Sequence, residues 1–128
     1  MTYLLDTNIV TAILKNNEII SQKLEEVRSQ REKMFMSCIT YYEMKRGLLA
    51  VNATRKISDF LVVCQEAKVL LLDGLEIIER ASEIYADLKR KGRQIQDADI
   101  LIAATAIAQG LILVSDDSDM LRVQGLTV

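Results

Sequence analysis

The chain contains no histidine, no tryptophan and no proline among its 128 residues. The absence of histidine excludes a Ser-His-Asp triad, a histidine-ligated zinc site and acid–base catalysis by imidazole. Neither a GxxxxGK nor a GxGxxG loop occurs, so the glycine-rich loops that cradle nucleotide phosphates are also missing. If this chain carries out chemistry, carboxylates must supply the reactive groups.

Long apolar runs and a strong net charge are absent as well. No apolar run approaches the roughly 18 residues of a membrane span, and Met1-Thr2-Tyr3 lacks the basic start of a signal peptide. The net charge of −2 does not mark a nucleic-acid binder, so any affinity for phosphate must come from local patches. Cysteine is scarce, and we interpret Cys38 and Cys64 as reduced thiols of a cytoplasmic protein without membrane contact.

The distribution of apolar residues predicts the fold class. Half of the residues are hydrophobic and 27% are charged, which indicates one folded domain over residues 1–128. Short apolar segments at 2–5, 34–38, 69–72 and 112–115 alternate with helical patterns, and a fifth strand is predicted at 126–128. Such strands indicate a parallel sheet covered on both faces. We therefore predict an α/β fold, a three-layer α/β/α domain with a mostly parallel sheet of four to five strands.

Capping residues and periodicity predict several details of the helices. Thr40 is a residue type that caps a helix start, and Gly110 ends a buried helix that begins near Asp99. The preceding helix extends to about Lys91, with Gly92 as its C-cap. Its helical spacing predicts a buried stripe of Ile78, Ala81, Tyr85 and Leu88.

Acidic residues stand beside strongly apolar segments at four places in the chain. They are Asp6, Glu43, Asp99 and the pair Asp116-Asp117. Right-handed crossovers bring the C-terminal ends of parallel strands to one rim of the sheet, and ligands bind there near the reversal of strand order. This topology predicts that the acids can meet in one pocket.

Each acid also has a purely structural explanation when it is taken alone. Asp6 suits a helix N-cap, and Glu43 suits a solvated first turn. Asp97 and Asp99 both suit a helix start, where one of them would be the cap, and residues 116–119 suit a turn. These explanations remain open for single positions, but they do not account for the joint arrival of the acids at one rim.

The distribution of charge favours the joint explanation. Residues 94–121 contain five aspartates and no lysine or arginine. Two carboxylates about 4 Å apart repel by roughly 4 kcal/mol at an effective dielectric of 20. Without basic partners, such a pocket must take up protons, stay hydrated or bind a metal. Oxygen ligands without histidine or cysteine select Mg²⁺ or Mn²⁺.

Basic residues are grouped on both sides of the acids in the sequence. Lys45 and Arg46 follow Glu43, and a second group precedes Asp97. The second group consists of Lys89, Arg90, Lys91 and Arg93. An acidic pocket flanked by basic segments suits a phosphodiester backbone that is held on both sides of a metal. The alternative for the second group is the ordinary preference for cations at a helix C-terminus.

The ordered set of motifs resembles the PIN-domain ribonucleases, and most closely the VapC-type toxins of toxin–antitoxin pairs. The first two motifs are Leu5-Asp6-Thr7-Asn8 and Ser37-Cys38-Ile39-Thr40-Tyr41-Tyr42-Glu43-Met44 with Gly47. The others are Asp99-Ile100-Leu101-Ile102-Ala103-Ala104, Leu113-Val114-Ser115-Asp116-Asp117 and Arg122-Val123-Gln124-Gly125-Leu126. Each motif alone is weak, but together they span the whole chain in the right order.

The resemblance implies a function and a set of site residues. It implies a Mg²⁺- or Mn²⁺-dependent endoribonuclease that cuts single-stranded RNA, often transfer or ribosomal RNA, and that is blocked by a cognate antitoxin. The implied catalytic and metal-binding residues are Asp6, Glu43, Asp99 and Asp117, with Asp116 as the alternate. The implied supporting residues are Asn8, Thr40 and Ser115, and Asp97 is either an additional acid or only a cap. Exposed helix faces are compatible with a homodimer.

The chain departs from the family pattern at two positions, and two other functions compete with the nuclease. Ser115 stands where threonine is usual, and Met120 stands roughly where an aromatic residue is usual. One rival is a phospho-acceptor receiver domain with Asp73 as the acceptor, although no lysine follows Lys91. The other rival is a catalytically silent binding or dimerisation module. A phosphate-transfer assay tests the first rival, and metal-dependent RNA cleavage tests the second.

Overall fold

A computed structural model describes residues 1–127 as alternating strands and helices. In chain order these elements are β1 (Thr2–Leu5), α1 (Thr7–Leu14), α2 (Glu18–Ser29), β2 (Lys33–Ser37), α3 (Cys38–Ala50), α4 (Thr54–Glu66), β3 (Ala67–Leu70), α5 (Leu75–Arg90), α6 (Asp97–Gln109), β4 (Ile112–Val114) and a 3₁₀ helix (Ser118–Arg122). No helix within residues 1–127 has the length and apolar character needed to cross a membrane.

The four strands form one sheet in the order β3-β2-β1-β4, and every neighbouring pair is parallel. Leu5 at the end of β1 stands opposite Met36 of β2 and Val114 of β4. The strand order reverses between β1 and β4, which is the position where parallel sheets bind ligands. The predicted α/β fold with a parallel sheet is confirmed.

The C-terminal end of the chain reaches the β4 edge of this sheet. The amide of Leu113 donates a hydrogen bond to the carbonyl of Thr127 at 2.8 Å. Within residues 1–127 the sheet nevertheless has four strands, without the predicted strand at 126–128. Val128, the last residue of that predicted strand, lies outside the described residues.

The sheet is buried on both faces, which makes the domain three layers thick. Leu4 packs into the core beneath α5 and α6, whereas its neighbour Leu5 packs into the core with α1, α3 and α4. Successive strand residues point to opposite faces, so a strand with apolar residues at both positions must be covered twice. The largest fully buried side chains of the two cores include Ile77, Leu88, Ile102, Leu113, Val10, Met36 and Phe60.

Strand β3 begins earlier than the sequence predicts. The predicted segment was 69–72, but α4 leads directly into a strand at Ala67–Leu70. Pairing with β2 sets this register, because Ala67 is fully buried opposite Met34. Leu71 lies beyond the paired residues and is 70% exposed. Apolar content alone therefore misplaced the strand by two residues.

Two predicted helix N-caps are wrong. Ser37, not Thr40, caps α3, because its hydroxyl accepts a hydrogen bond from the Ile39 amide at 3.1 Å. Gln96 occupies the N-cap position of α6, so Asp97 and Asp99 both lie in the first helical turn. Acidic side chains are stabilised in a first turn by the positive end of the helix dipole. Gly110 ends α6 as predicted, at a left-handed φ of 66°.

The buried stripe of α5 is one residue out of phase with the prediction at two of its four positions. Ala81 and Leu88 are buried as predicted, but Ile78 and Tyr85 are 41% and 42% exposed. The residues that face the core instead are Ile77 and Ile84. Both stripes satisfy helical spacing, so packing against α6 decides between them. The helix also ends at Arg90 with Lys91 at the C-cap position, one residue before the predicted Gly92.

Candidate metal centre

Asp6 is held at the end of β1 by neighbours on three sides. Its amide donates to the Val114 carbonyl at 2.9 Å, which continues the β1–β4 pairing. Its carboxylate accepts from the Thr7 amide at 2.8 Å and from the Ser115 hydroxyl at 2.6 Å. The side chain is the N-cap of α1, as the structural explanation required, and Asp6 is buried. Capping does not explain the hydrogen bond from Ser115, which ties the Asp6 carboxylate to the segment after β4.

Burial is the main reason that the pKa of Asp6 is raised. The hydrogen bonds from Ser115 and Thr7 favour the ionised form and oppose this shift. The charges of Asp117 and Glu43 raise the pKa further, so both carboxylates face Asp6 across the rim.

Glu43 reaches the same rim from the second turn of α3. The hydroxyl of Thr7 donates to its Oε1 at 2.9 Å and lies 3.1 Å from the hydroxyl of Thr40. Thr40 is fully buried, so this pair of hydroxyls ties α1 to α3. Thr7 was not predicted as a site residue. Its position directly after Asp6 in the first motif could have indicated that it belongs to the site.

Burial and the negative charges of the other acids at the rim raise the pKa of Asp99. Its pKa is raised to about 6, first by burial and then by repulsion from Asp6, Asp117, Glu43 and Asp119. A carboxylate responds in this way only when like charges lie near it in a poorly solvated environment. Asp119 is an acid that was not predicted, and it is paired with Arg122 at 3.3 Å.

Asp117 and Asp116 differ in their neighbours and in their exposure. The Asp117 amide donates to the Ser115 hydroxyl at 3.0 Å, and its charge acts on both Asp6 and Asp99. Asp116 is exposed, and its charge is not among those that raise the pKa of either residue. The Asp117 carboxylate also accepts from the Asp119 amide at 2.9 Å, so it caps the 3₁₀ helix while its charge acts on Asp6 and Asp99.

Asn8 links helix α1 to the segment after β4. Its Nδ2 donates to Oδ1 of Asp116. Its own Oδ1 is buried and has no hydrogen-bond partner among the described residues. A carboxylate can only accept, so Asp116 holds the amide nitrogen towards itself and turns the carbonyl oxygen away. This oxygen can therefore bind a metal ion or accept a hydrogen bond.

The predicted basic residues are not equally placed. Arg46 lies on the same side of α3 as Glu43, with Nη2 at 3.9 Å from its Oε2. Lys45 lies on another side of the helix, near Cys64 of α4. Its charge lowers the pKa of the Cys64 thiol, which burial raises. Lys45 therefore faces α4, whereas Arg46 faces the acids.

The second basic group lies at the end of α5 and in the short connection to α6. A short connection between two packed helices makes them antiparallel, so this group shares one end of the hairpin with Asp97 and Asp99. Lys91 is paired with Asp87 at 3.0 Å, and the ammonium of Lys89 lies 5.7 Å from the Tyr85 ring centroid. Asp97 itself is exposed and lines a groove beside Glu43.

The sequence and the fold have close counterparts among known proteins. The profile of the PIN domain matches residues 3–126. The chain belongs to the PIN domain family. VapC ribonuclease Y4jK of Sinorhizobium fredii is 32% identical in an alignment that covers 97% of this chain and 93% of that protein. Ribonuclease VapC2 of Haemophilus influenzae is 32% identical over 122 residues, which cover 91% and 87%.

A solved structure shows the same fold. VapBC-1 from nontypeable Haemophilus influenzae superimposes on this PIN domain with a TM-score of 0.86 and 27% identity, covering 99% of this chain and 96% of that chain. The resemblance inferred from the motifs is confirmed. In this fold Asp73 is exposed beyond β3, and its charge does not act on Asp6 or Asp99.

The side chains of this PIN domain suit a hard divalent cation but are not arranged around one. Within residues 1–127, no three Asp, Glu, Cys or His side chains are grouped closely enough to hold an ion. The same residues show no ion pair from lysine or arginine to Asp6, Asp99 or Asp117. The donors are oxygens, as Mg²⁺ and Mn²⁺ require. The orphaned Asn8 oxygen fits the same chemistry, although binding requires the acids to turn inward.

The burial of Asp99 and the repulsion from its neighbours predict that Asp99→Asn stabilises the metal-free protein. The folded-state pKa of about 6 exceeds the ordinary 3.8, so the protonated form stabilises the fold, and this stability is lost as the pH rises through 6. With allowance for solvent screening, the variant gains about 1 kcal/mol at pH 8, or roughly 3–5 °C in melting temperature. Thermal melts in chelating buffer measure the gain, which disappears below about pH 4.

The matched control is Asp97→Asn, which neutralises an exposed acid two residues earlier in the same helix. It is expected to give no gain in stability, because the charge of a first-turn acid is favoured by the helix dipole. If Asp99→Asn melts no higher than the chelated wild type at pH 8, burial and repulsion do not oppose the ionisation of Asp99 as the structure indicates.

Proposed function

We propose that this PIN domain is a Mg²⁺- or Mn²⁺-dependent endoribonuclease that acts as the toxin of a type II toxin–antitoxin system. The observation that carries the proposal is the meeting of Asp6, Glu43, Asp99 and Asp117 at one rim with little basic compensation. Such a set is costly to fold unless it serves to bind a cation. The names of the relatives, which describe VapC ribonucleases, support RNA as the substrate.

The proposed metal site uses residues that the scaffold holds by different means. Asp6 is fixed by the Thr7 amide and the Ser115 hydroxyl, so it provides a rigid ligand. Asp99 and Asp117 would complete the oxygen donors after their side chains turn towards it. When bound, the cation would polarise a phosphoryl oxygen and lower the pKa of a bound water. Asp116 instead keeps its place beside Asn8.

Glu43 is suited to orient the attacking water. The Thr7 hydroxyl holds one of its oxygens at 2.9 Å, and the second oxygen faces Arg46 at 3.9 Å. The Thr40 hydroxyl supports Thr7 in turn. Glu43 is thereby oriented without a close ion pair, which leaves it able to accept a hydrogen bond from water.

The proposal predicts that cleavage of single-stranded RNA requires Mg²⁺ or Mn²⁺. A chelator is expected to abolish cleavage, and Asp99→Asn and Glu43→Gln are each expected to lower the rate by about 100-fold or more. Since protons compete with the cation for Asp99, activity should rise as the pH passes through about 6. Gel analysis of end-labelled RNA measures the rate, and sequencing of the cut ends identifies the position.

Asp73→Asn is the control for these variants, because Asp73 is exposed and does not face the pocket. Its rate should match that of the wild type. Cleavage that persists in chelator would contradict the metal requirement. Phosphate transfer to Asp73 from a small phosphodonor would favour a receiver domain, and the lack of any metal-dependent cleavage would favour the catalytically silent module.

The proposal assigns RNA contacts to Arg46 and to the basic group of Lys89, Arg90, Lys91 and Arg93, with a transfer or ribosomal RNA as the substrate class. Arg46→Ala is expected to make the dependence of log affinity on log salt shallower by about one unit for each lost phosphate contact. Lys45→Ala is the matched control, because it removes the same charge one residue away on the side facing α4. Equal slopes for the wild type and Arg46→Ala would rule out this contact.

We also propose a cognate antitoxin and a homodimer as partners. The name of the Haemophilus influenzae neighbour, VapBC-1, joins VapC to a second component. Exposed apolar side chains on α3 and α4 leave surface that partners can cover; they include Leu49, Leu61 and Val62. Co-expression with the product of an adjacent small gene, followed by light scattering, should give the mass of a complex with two copies of this chain. A monomer of this chain alone in solution would contradict the homodimer.

A further inference from the structure

A groove of about 350 Å³ opens directly beside Glu43, between α3 and the start of α6. Its lining includes the partly buried apolar residues Ile39 and Leu101. It also includes the exposed polar residues Gln96 and Asp97, together with Glu43 itself. A groove lined by both apolar and hydrogen-bonding side chains suits a flat group with polar atoms around its rim.

Tyr42 and Arg46 form a platform along this groove. The Tyr42 ring is 58% exposed, which leaves much of a large aromatic surface in water. The guanidinium carbon of Arg46 lies 5.0 Å from the centroid of that ring, and Nη2 lies 3.9 Å from Glu43. Arg46 is thereby held between the ring and an acid of the pocket. Aromatic rings and guanidinium planes are both surfaces on which unpaired nucleobases stack.

We propose that this groove binds one unpaired nucleobase, stacked on the Tyr42–Arg46 platform, next to the phosphodiester that is cut. The inference rests on the proposed ribonuclease function and adds a binding subsite to it. Glu43 lines the groove and belongs to the acidic pocket, so a base in the groove places its neighbouring phosphate at the acids. Arg46 supplies positive charge where the acids would otherwise repel RNA.

The polar lining residues of the groove favour a nucleobase over an apolar protein side chain. The Gln96 amide can donate and accept hydrogen bonds, and the Asp97 carboxylate can accept them. Both groups would lose hydrogen bonds to water under an apolar occupant, whereas the edge of a base can replace those bonds.

A second tyrosine–cation pair on the same end of the fold provides a control. Tyr85 is 42% exposed and lies 5.7 Å from the ammonium of Lys89. Its groove shares Asp97 and Leu101 with the first one but is lined by none of the four acids of the pocket. Tyr85 therefore resembles Tyr42 in exposure and in its cationic neighbour, but not in its position beside the acids.

The test uses short single-stranded RNAs of one sequence, each lacking a base at a different position. Binding is measured by fluorescence anisotropy in Mg²⁺ with the Asp99→Asn protein, so that the RNA is not consumed. Removal of the base in the groove should weaken binding about tenfold, and the additional Tyr42→Ala substitution should erase this penalty at that position. Tyr42→Phe keeps the ring and should keep the penalty. Tyr85→Ala should leave the penalty at that position unchanged.

Two results would overturn the subsite. One is a base-removal penalty that remains at every position in the Tyr42→Ala protein. The other is a loss of affinity that is equal for all RNAs and accompanied by a change in oligomeric state, which would make the groove an interface between copies of this chain. Failure of the proposed function is distinguishable, because the wild type would then cut no RNA with Mg²⁺ or Mn²⁺ whatever the binding data show.

Discussion

The structure depends on carboxylates that the backbone places at one rim of the sheet, where burial and the neighbouring negative charges both oppose ionisation. Asp6 is anchored by the continuation of the β1–β4 pairing, and Asp99 and Asp117 are placed near it by a helix start and a strand end. The pKa of Asp99 is raised first by burial and then by the charges of the neighbouring acids, which is what this placement entails. A stable fold would normally neutralise such charges with lysine or arginine, and the unusual arrangement here makes the rim suitable for a cation.

Hydroxyl groups organise the acids in place of cations. Ser115 contacts both Asp6 and the Asp117 amide, and Thr7 contacts both Glu43 and Thr40. A hydroxyl can donate to a carboxylate without cancelling its charge, so orientation is gained while the negative potential remains. The serine at position 115 makes both contacts, and its departure from the usual threonine therefore leaves this hydroxyl chemistry intact.

Much of the fold could be predicted because the strands of a sheet that is buried on both faces are short runs of apolar residues, which are easily recognised in the sequence. The short apolar segments correctly predicted β1 and the parallel sheet. The ordered motifs correctly indicated the family. The errors occur where two local solutions have similar energies. Ile77 or Ile78 can each begin a buried stripe on α5, and Ser37 or Thr40 can each cap α3. Local spacing does not choose between such alternatives, because the choice depends on what packs against the helix.

The sequence by itself determined which chemistry is available, since a chain without histidine that carries unpaired acids beside apolar segments has carboxylates as its reactive groups. It also determined the order of the elements, because hydrophobic periodicity is a local property. Only the tertiary structure decided that the charge of Asp117 rather than that of Asp116 acts on Asp6 and Asp99, that Lys45 lies near Cys64 of α4, and that Thr7 supports Glu43. These are relations between residues distant in the chain, and they depend on sheet register and helix rotation, which no local pattern encodes.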